Sequence, residues 1–237
     1  MKETTHKKIE QANPRIFHLW DLPDSLFILF SPKANDFFFT KMYDLFGSQK
    51  EFARFLGIWR QQINKYHKQR QKHKGSYCPV YLPLLLIKRC ICFLEPQVLS
   101  YLEHNISEIR ARVGLSILSP KLPLMESPGI YRLVAHILAD GSASRGKTPY
   151  YANTSKILRE EFKKDLQIFG YMKMYERTPN TTPTVNFPKA VSDVLAHLFD
   201  IRFTRPNRLP KLLFSASNEC RSAFLRALFD DEGSISG

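Results

Sequence analysis

Apolar and polar positions alternate along the chain in blocks that predict helices more clearly than strands. In GSQKEFARFLGIWRQQINKY, Phe52, Phe55 and Leu56 recur at helical spacing behind Ser48, a natural N-cap, and Glu51 stands where a capping box needs it. Gly57 supplies a tight turn, Ile58 packs, and a second helix runs through Gln61, Ile63 and Tyr66. Two further helices are predicted between Tyr81 and Arg112, separated at Pro96, and Leu118–Ser127, with Pro120 and Pro123, reads as a linker closed by Pro128. Tyr150 and Tyr151 lie in a strand. Ile157, Leu158, Phe162, Leu166 and Phe169 make the stripe of a helix over Ser155–Phe169, which Gly170 ends. Strands over Tyr171–Arg177 and Thr182–Phe187 and a helix over Lys189–Phe199 complete the pattern. Residues 1–46 are too aromatic for a disordered tail (Trp20, Phe27, Phe30, Phe37 to Phe39), but their packing partner is not legible.

Two stretches repeat. LVAHILADG at Leu133–Gly141 and LRALFDDEG at Leu225–Gly233 are each an apolar helical segment ending in an acid and a glycine. Ala135 and Ala139 share one helix face, as do Ala223 and Ala227, so the two helices can approach closely. The glycine is expected to end each helix by adopting a left-handed conformation. Asp140 and Glu232 then meet at the foot of the pair. Converging carboxylates suit a magnesium-dependent phosphodiester site. The plainer reading is two core helices with capping acids.

Charge favours the first reading. The chain of 237 residues carries 35 Lys and Arg against 22 Asp and Glu, net +13. The excess is shared: 16 against 11 from Tyr131 onward, 19 against 11 before it. Such excess attracts polyanions, nucleic acid first among them. Cys78, Cys90, Cys92 and Cys220 have no zinc-site spacing and read as free thiols of a reducing compartment. The polar start, MKETTHKKIEQ, is not a signal peptide, and Leu82–Leu94 is short and interrupted by Lys88-Arg89, so no membrane association is expected. The expected location is the cytoplasm, with the nucleoid as the site of action in a prokaryote.

The two phased motifs resemble those of the LAGLIDADG homing endonucleases, over about Ser127–Gly237. Residues 48–67 resemble a helix-turn-helix of the phage-repressor type. The fold class expected is α+β: an all-α helix-turn-helix region at 47–118, an uncertain segment at 1–46, and an endonuclease-like αββαββα unit with the second motif helix at 127–237. The first resemblance implies an intron-encoded, site-specific endonuclease that cuts both strands of duplex DNA across the minor groove. It would work as a monomer through intramolecular pairing of the motif helices. It implies Mg²⁺ on Asp140 and Glu232, with the backbone carbonyls of Ala139 and Asp231 as further ligands. His136, in mid-motif, reads as a packed helix residue rather than a base.

Family members often carry a lysine shortly before the second motif. Here Asn207 holds that position, flanked by Arg205, Arg208 and Lys211, and Arg208 is the candidate to polarise the phosphate. Candidate DNA contacts in the sheet are Arg145, Lys147, Tyr151, Lys173 and Arg177. The helix-turn-helix resemblance adds Arg60, Gln61, Gln62, Asn64 and Lys65 as readers of base edges, and Lys68, Arg70, Lys72 and Lys74 as phosphate contacts. Trp59 is unusual at such a position and reads equally as core. By the resemblance a second set of strands would follow the second motif, so this sequence is expected to provide one half of a DNA saddle. A non-catalytic, sequence-specific DNA-binding protein on the same scaffold is the alternative. An intein is not, since Met1 and Gly237 stand where splicing needs Cys or Ser and His-Asn.

Overall fold

A computed structural model describes residues 13–73, 76–144, 147–178, 182–204 and 208–232. The aromatic N-terminal segment is an integral part of the core. A short strand β1 (Ile16–Phe17) and β2 (Phe27–Phe30) lead into helix α1 (Pro32–Phe46), capped by the Ser31 hydroxyl, which accepts from the Ala34 amide. Phe38, Phe39 and Met42 of α1 are buried. Phe38 and Phe39 meet the ring of Phe52 on α2 (Gln49–Leu56) at centroid separations of 6.5 and 6.3 Å.

α2 begins as its sequence dictates. The Ser48 hydroxyl accepts from the Glu51 amide, while the Glu51 carboxylate turns to Arg54. Gly57 ends the helix at φ +69°, a left-handed conformation that glycine adopts without steric cost. α3 (Arg60–Lys68) follows, burying Ile63. The basic run beyond it becomes an antiparallel hairpin, β3 (Arg70–His73) with β4 (Ser76–Pro79); Lys74 lies outside the described residues.

Next come β5 (Leu82–Pro83), α4 (Leu84–Cys90), α5 (Pro96–His104), β6 (Ile106–Arg110), β7 (Ser116–Leu118) and β8 (Leu124–Met125). The two helices fall where expected, with Pro96 as the first residue of the second. The all-α expectation for this region is corrected. β2 and β6 pair antiparallel as neighbours in a five-stranded sheet, although about 80 residues separate them in sequence. Strands of four or five residues leave too little period to read, and their partners are remote. Nor is Leu118–Ser127 a loose tether, because β8 pairs with β1.

After α6 (Pro128–Ala139) the chain forms β9 (Gly141–Ser142), β10 (Tyr150–Ala152), α7 (Lys156–Leu166), β11 (Tyr171–Met172), β12 (Tyr175–Arg177), β13 (Thr184–Asn186), α8 (Lys189–Leu198), α9 (Lys211–Phe214) and α10 (Asn218–Glu232). The predicted strand 171–177 divides. Tyr171–Met172 joins the first sheet, whose order is β11-β7-β6-β2-β5, and Tyr175–Arg177 joins a second, ordered β12-β13-β10-β9. The molecule is therefore mixed α+β, and its two parts share a sheet. α6 and α10 pack on each other more extensively than any other pair of elements. Among the described residues no helix is long and apolar enough to cross a membrane.

Candidate functional site

The repeated motifs meet in space. Ala135 and Ala227 are buried where α6 and α10 pack together. Their small side chains allow close approach of the two backbones. Both helices end at the same place, α6 at Ala139 with Asp140 as its C-cap and α10 at Glu232.

Gly141 serves the turn for a reason other than the expected one. Its φ is not left-handed. A Cβ there would lie 2.5 Å from the Ile137 Cα and 2.7 Å from its carbonyl oxygen, so only glycine lets β9 leave the helix along this path. Gly233 lies outside the described residues.

At the foot of the pair, polar groups form one connected cluster. The Asp231 side chain is 0% exposed and its neighbour His136 1%. His136 Nδ1 donates to Asp231 Oδ2 over 2.7 Å, and the Tyr151 hydroxyl donates to Asp231 Oδ1 over 2.6 Å. Asn153 Nδ2 lies 3.1 Å from Asp231 Oδ1 and 3.1 Å from Asp140 Oδ2. Two amide hydrogens thus serve two carboxylates. Burial, followed by the Asp231 charge and then the Glu232 charge, holds the Asp140 carboxyl above its ordinary range, against the lowering effect of the Asn153 bond. Burial and the bond to Asp231 likewise push the Tyr151 phenol up. His136 Nε2 is buried with no partner among the described residues. The ring sits 5.0 Å from that of Tyr151 and 6.0 Å from that of Phe162, an apolar setting that offers Nε2 nothing.

The two motif acids, Asp140 and Glu232, are therefore brought near each other, and a third acid, Asp231, comes with them. Glu232 is exposed at the end of α10, and its charge reaches Asp140. Asp231, considered beforehand only for its carbonyl, sends its side chain inward. Ala139, the other carbonyl candidate, is the last residue of α6. Among the described residues no three His, Cys, Asp or Glu side chains close around an ion. The donor set is a pair of carboxylates, Asp140 half-buried and Glu232 exposed. That set fits Mg²⁺, which keeps several waters and commonly takes one or two carboxylates plus substrate phosphate oxygens.

The other candidates distribute unevenly. Arg208 pairs with Asp200, over 2.8 Å, and Lys211 pairs with the same carboxylate. Among the described residues no hydrogen bond or ion pair joins Arg208 to Asp140. Arg205 and Asn207 lie outside the described residues, as does Arg145. Tyr151 is corrected from a duplex contact to a core residue: it pairs with Val185 across the sheet, and both are fully buried. The opposite face of the pleat is the open one. It carries Tyr150, Tyr175 and Arg177, with Lys147 and Lys173 exposed in adjoining loops.

In α3, Arg60, Gln61, Asn64 and Lys65 are exposed and Gln62 is half-buried. Trp59 is 86% exposed, so it is not core. Gln49 at the start of α2 ties this surface together: its amide donates to Asn64 Oδ1 and its carbonyl accepts from Arg60 Nε. α3 contains no carboxylate.

Sequence reasoning missed Asn153, the inward-facing side chain of Asp231 and the contact role of His136. One signal was available for the first. An Asn two residues before the Ser155 helix cap marks an Asx turn, which fixes the side chain near the helix entry. Comparison with protein family models and with curated proteins finds no match, so the functional reading rests on the residues themselves.

Proposed function

We propose that the protein is a Mg²⁺-dependent, site-specific double-strand DNA endonuclease of the LAGLIDADG homing type, acting as a monomer through its two paired motif helices. The observation that carries this reading is the packing of α6 on α10, which brings the acid ends of both motifs to one place. Asp140 and Glu232 would hold the metal, with the Ala139 and Asp231 carbonyls as further ligands. When bound, Mg²⁺ supplies an activated water and stabilises the leaving oxygen. The open sheet face with Tyr150, Tyr175, Lys147, Lys173 and Arg177 would lie along the duplex. Arg208 would have to release Asp200 to reach a phosphate.

Purified protein incubated with Mg²⁺ and a randomised duplex library should release double-strand ends that share a sequence. Asp140→Asn should abolish them and leave duplex binding in EDTA near the original affinity. Cleavage by the variant at the original rate would overturn the assignment.

A second reading is supported by the exposed, carboxylate-free α3 with Trp59 at its tip. It is a sequence-specific DNA-binding protein that does not cut. Selective enrichment of duplexes in EDTA, with the same duplexes left intact in Mg²⁺, would favour it.

A further inference from the structure

Every polar group of Asn153 is committed. Its backbone amide donates to the Pro183 carbonyl, and its own carbonyl accepts from Arg159 Nη1 over 2.7 Å. Arg159 is itself buried and fixed, donating also to the Thr154 carbonyl and to Glu176. The side-chain Oδ1 accepts from the Ser155 amide over 2.8 Å. A backbone N–H is only a donor, so the oxygen of the amide must face it. The nitrogen is thereby forced toward the two carboxylates, each 3.1 Å away. Asp231 is anchored in turn by the Tyr151 hydroxyl and His136 Nδ1, on the side of the first motif.

We infer that Asn153 is a positioning residue for metal binding, which holds the Asp140 carboxylate against the fixed post of Asp231 so that Asp140 can share an ion with Glu232. This rests on the nuclease reading above. Asp231 is buried and already accepts from three donors, so it acts as the post, and the exposed Glu232 is left as the second ligand. The arrangement follows a general property of metal sites: groups that hydrogen-bond the ligands set their orientation, and removing one costs about 10- to 100-fold in metal affinity.

The test separates this role from the Asx turn, to which Asn153 also contributes. Asn153→Ala removes both. Asn153→Ser keeps an oxygen able to accept from the Ser155 amide, but is too short to reach Asp140 and Asp231. Mn²⁺ alone is titrated into the full chain without DNA, and the free ion is followed by electron paramagnetic resonance. Thermal melting is measured on the same samples. The expected result is Mn²⁺ affinity weakened about 10- to 100-fold in both variants, with Asn153→Ser melting closer to the parent than Asn153→Ala. If Asn153→Ser binds Mn²⁺ within twofold of the parent, the positioning role is overturned and the metal reading stands. If the parent binds no more Mn²⁺ than Asp140→Asn does, the metal reading falls and the positioning role with it.

Discussion

α6 and α10 carry the same motif in different surroundings. α6 buries eight residues, from Gly129 to Ile137, on nearly every side: α10 covers one face, while β10 and α7 cover others. α10 is longer, yet buries Cys220, Phe224 and Ala227, a single stripe at helical spacing. Its Leu225 and Phe229 are exposed. The first copy is the hub of a complete unit of sheet and helices. The second adds one contact face and an acid end. What the two share is what the proposed chemistry needs: the small residues at the crossing, and the carboxylates below it.

The sharpest way to break this comparison is within α10. Phe224 is fully buried, and Phe229 is 67% exposed on the same helix. Phe224→Ala should cost about 3–5 kcal/mol by denaturant unfolding. Phe229→Ala should stay within about 0.5 kcal/mol. Equal losses would mean that the outer face of α10 is covered, and the contrast with α6 would collapse.

A smaller effect tests the pleat. Tyr151→Phe leaves the buried Asp231 short of a donor and should cost about 1–3 kcal/mol. The exposed neighbour Tyr150→Phe should leave stability unchanged within about 0.5 kcal/mol. The reverse order would place Tyr151 on the open face after all.

The contrast between the two helices also explains what could be read from sequence. Local rules sufficed where one element supplies its own signals. Ser48, Gly57, Ser155 and the apolar positions Phe162 and Leu166 placed α2, α3 and α7, whereas Ile157, read into the same stripe, is 78% exposed. The repeated acid with its flanking alanines placed the two motif helices. What stayed hidden depends on contacts distant in sequence. β2 finds β6, Tyr171 leaves its expected strand for Leu118, and Asp231 reaches His136. The pleat phase of β10 is fixed by Phe162 of α7 beneath Tyr151, and no alternation within three residues could reveal it. Gly141 illustrates the same limit: its need for glycine lies in the approach of Ile137 and not in its own φ.

The smallest expected effect concerns the link that ties the sheet around α6 to Asn153. Arg159 donates to Glu176 Oε1 over 2.7 Å, and Lys163 donates to Oε2 over 3.2 Å. The Arg159 bond first, and the Lys163 bond second, hold the Glu176 carboxyl below its usual range. A depressed carboxyl contributes stability that is full above its unfolded value, here 4.5, and is lost as pH falls through the lower folded value. Glu176 is partly solvent-exposed, so screening keeps the contribution to at most about 1 kcal/mol. Glu176→Gln should therefore be slightly less stable than the parent at pH 7. The gap should narrow below pH 4.5 and close once the parent's own carboxylate is protonated. Unfolding curves measured at several pH values check this, and a deficit that is the same at pH 7 and at pH 3 would show that packing, not the ion pair, sets the contribution. Salt offers an independent handle. Added NaCl should shrink the pH 7 gap, because a pair open to water is screened, whereas the bonds from Arg159 to the Asn153 and Thr154 carbonyls are buried and should persist.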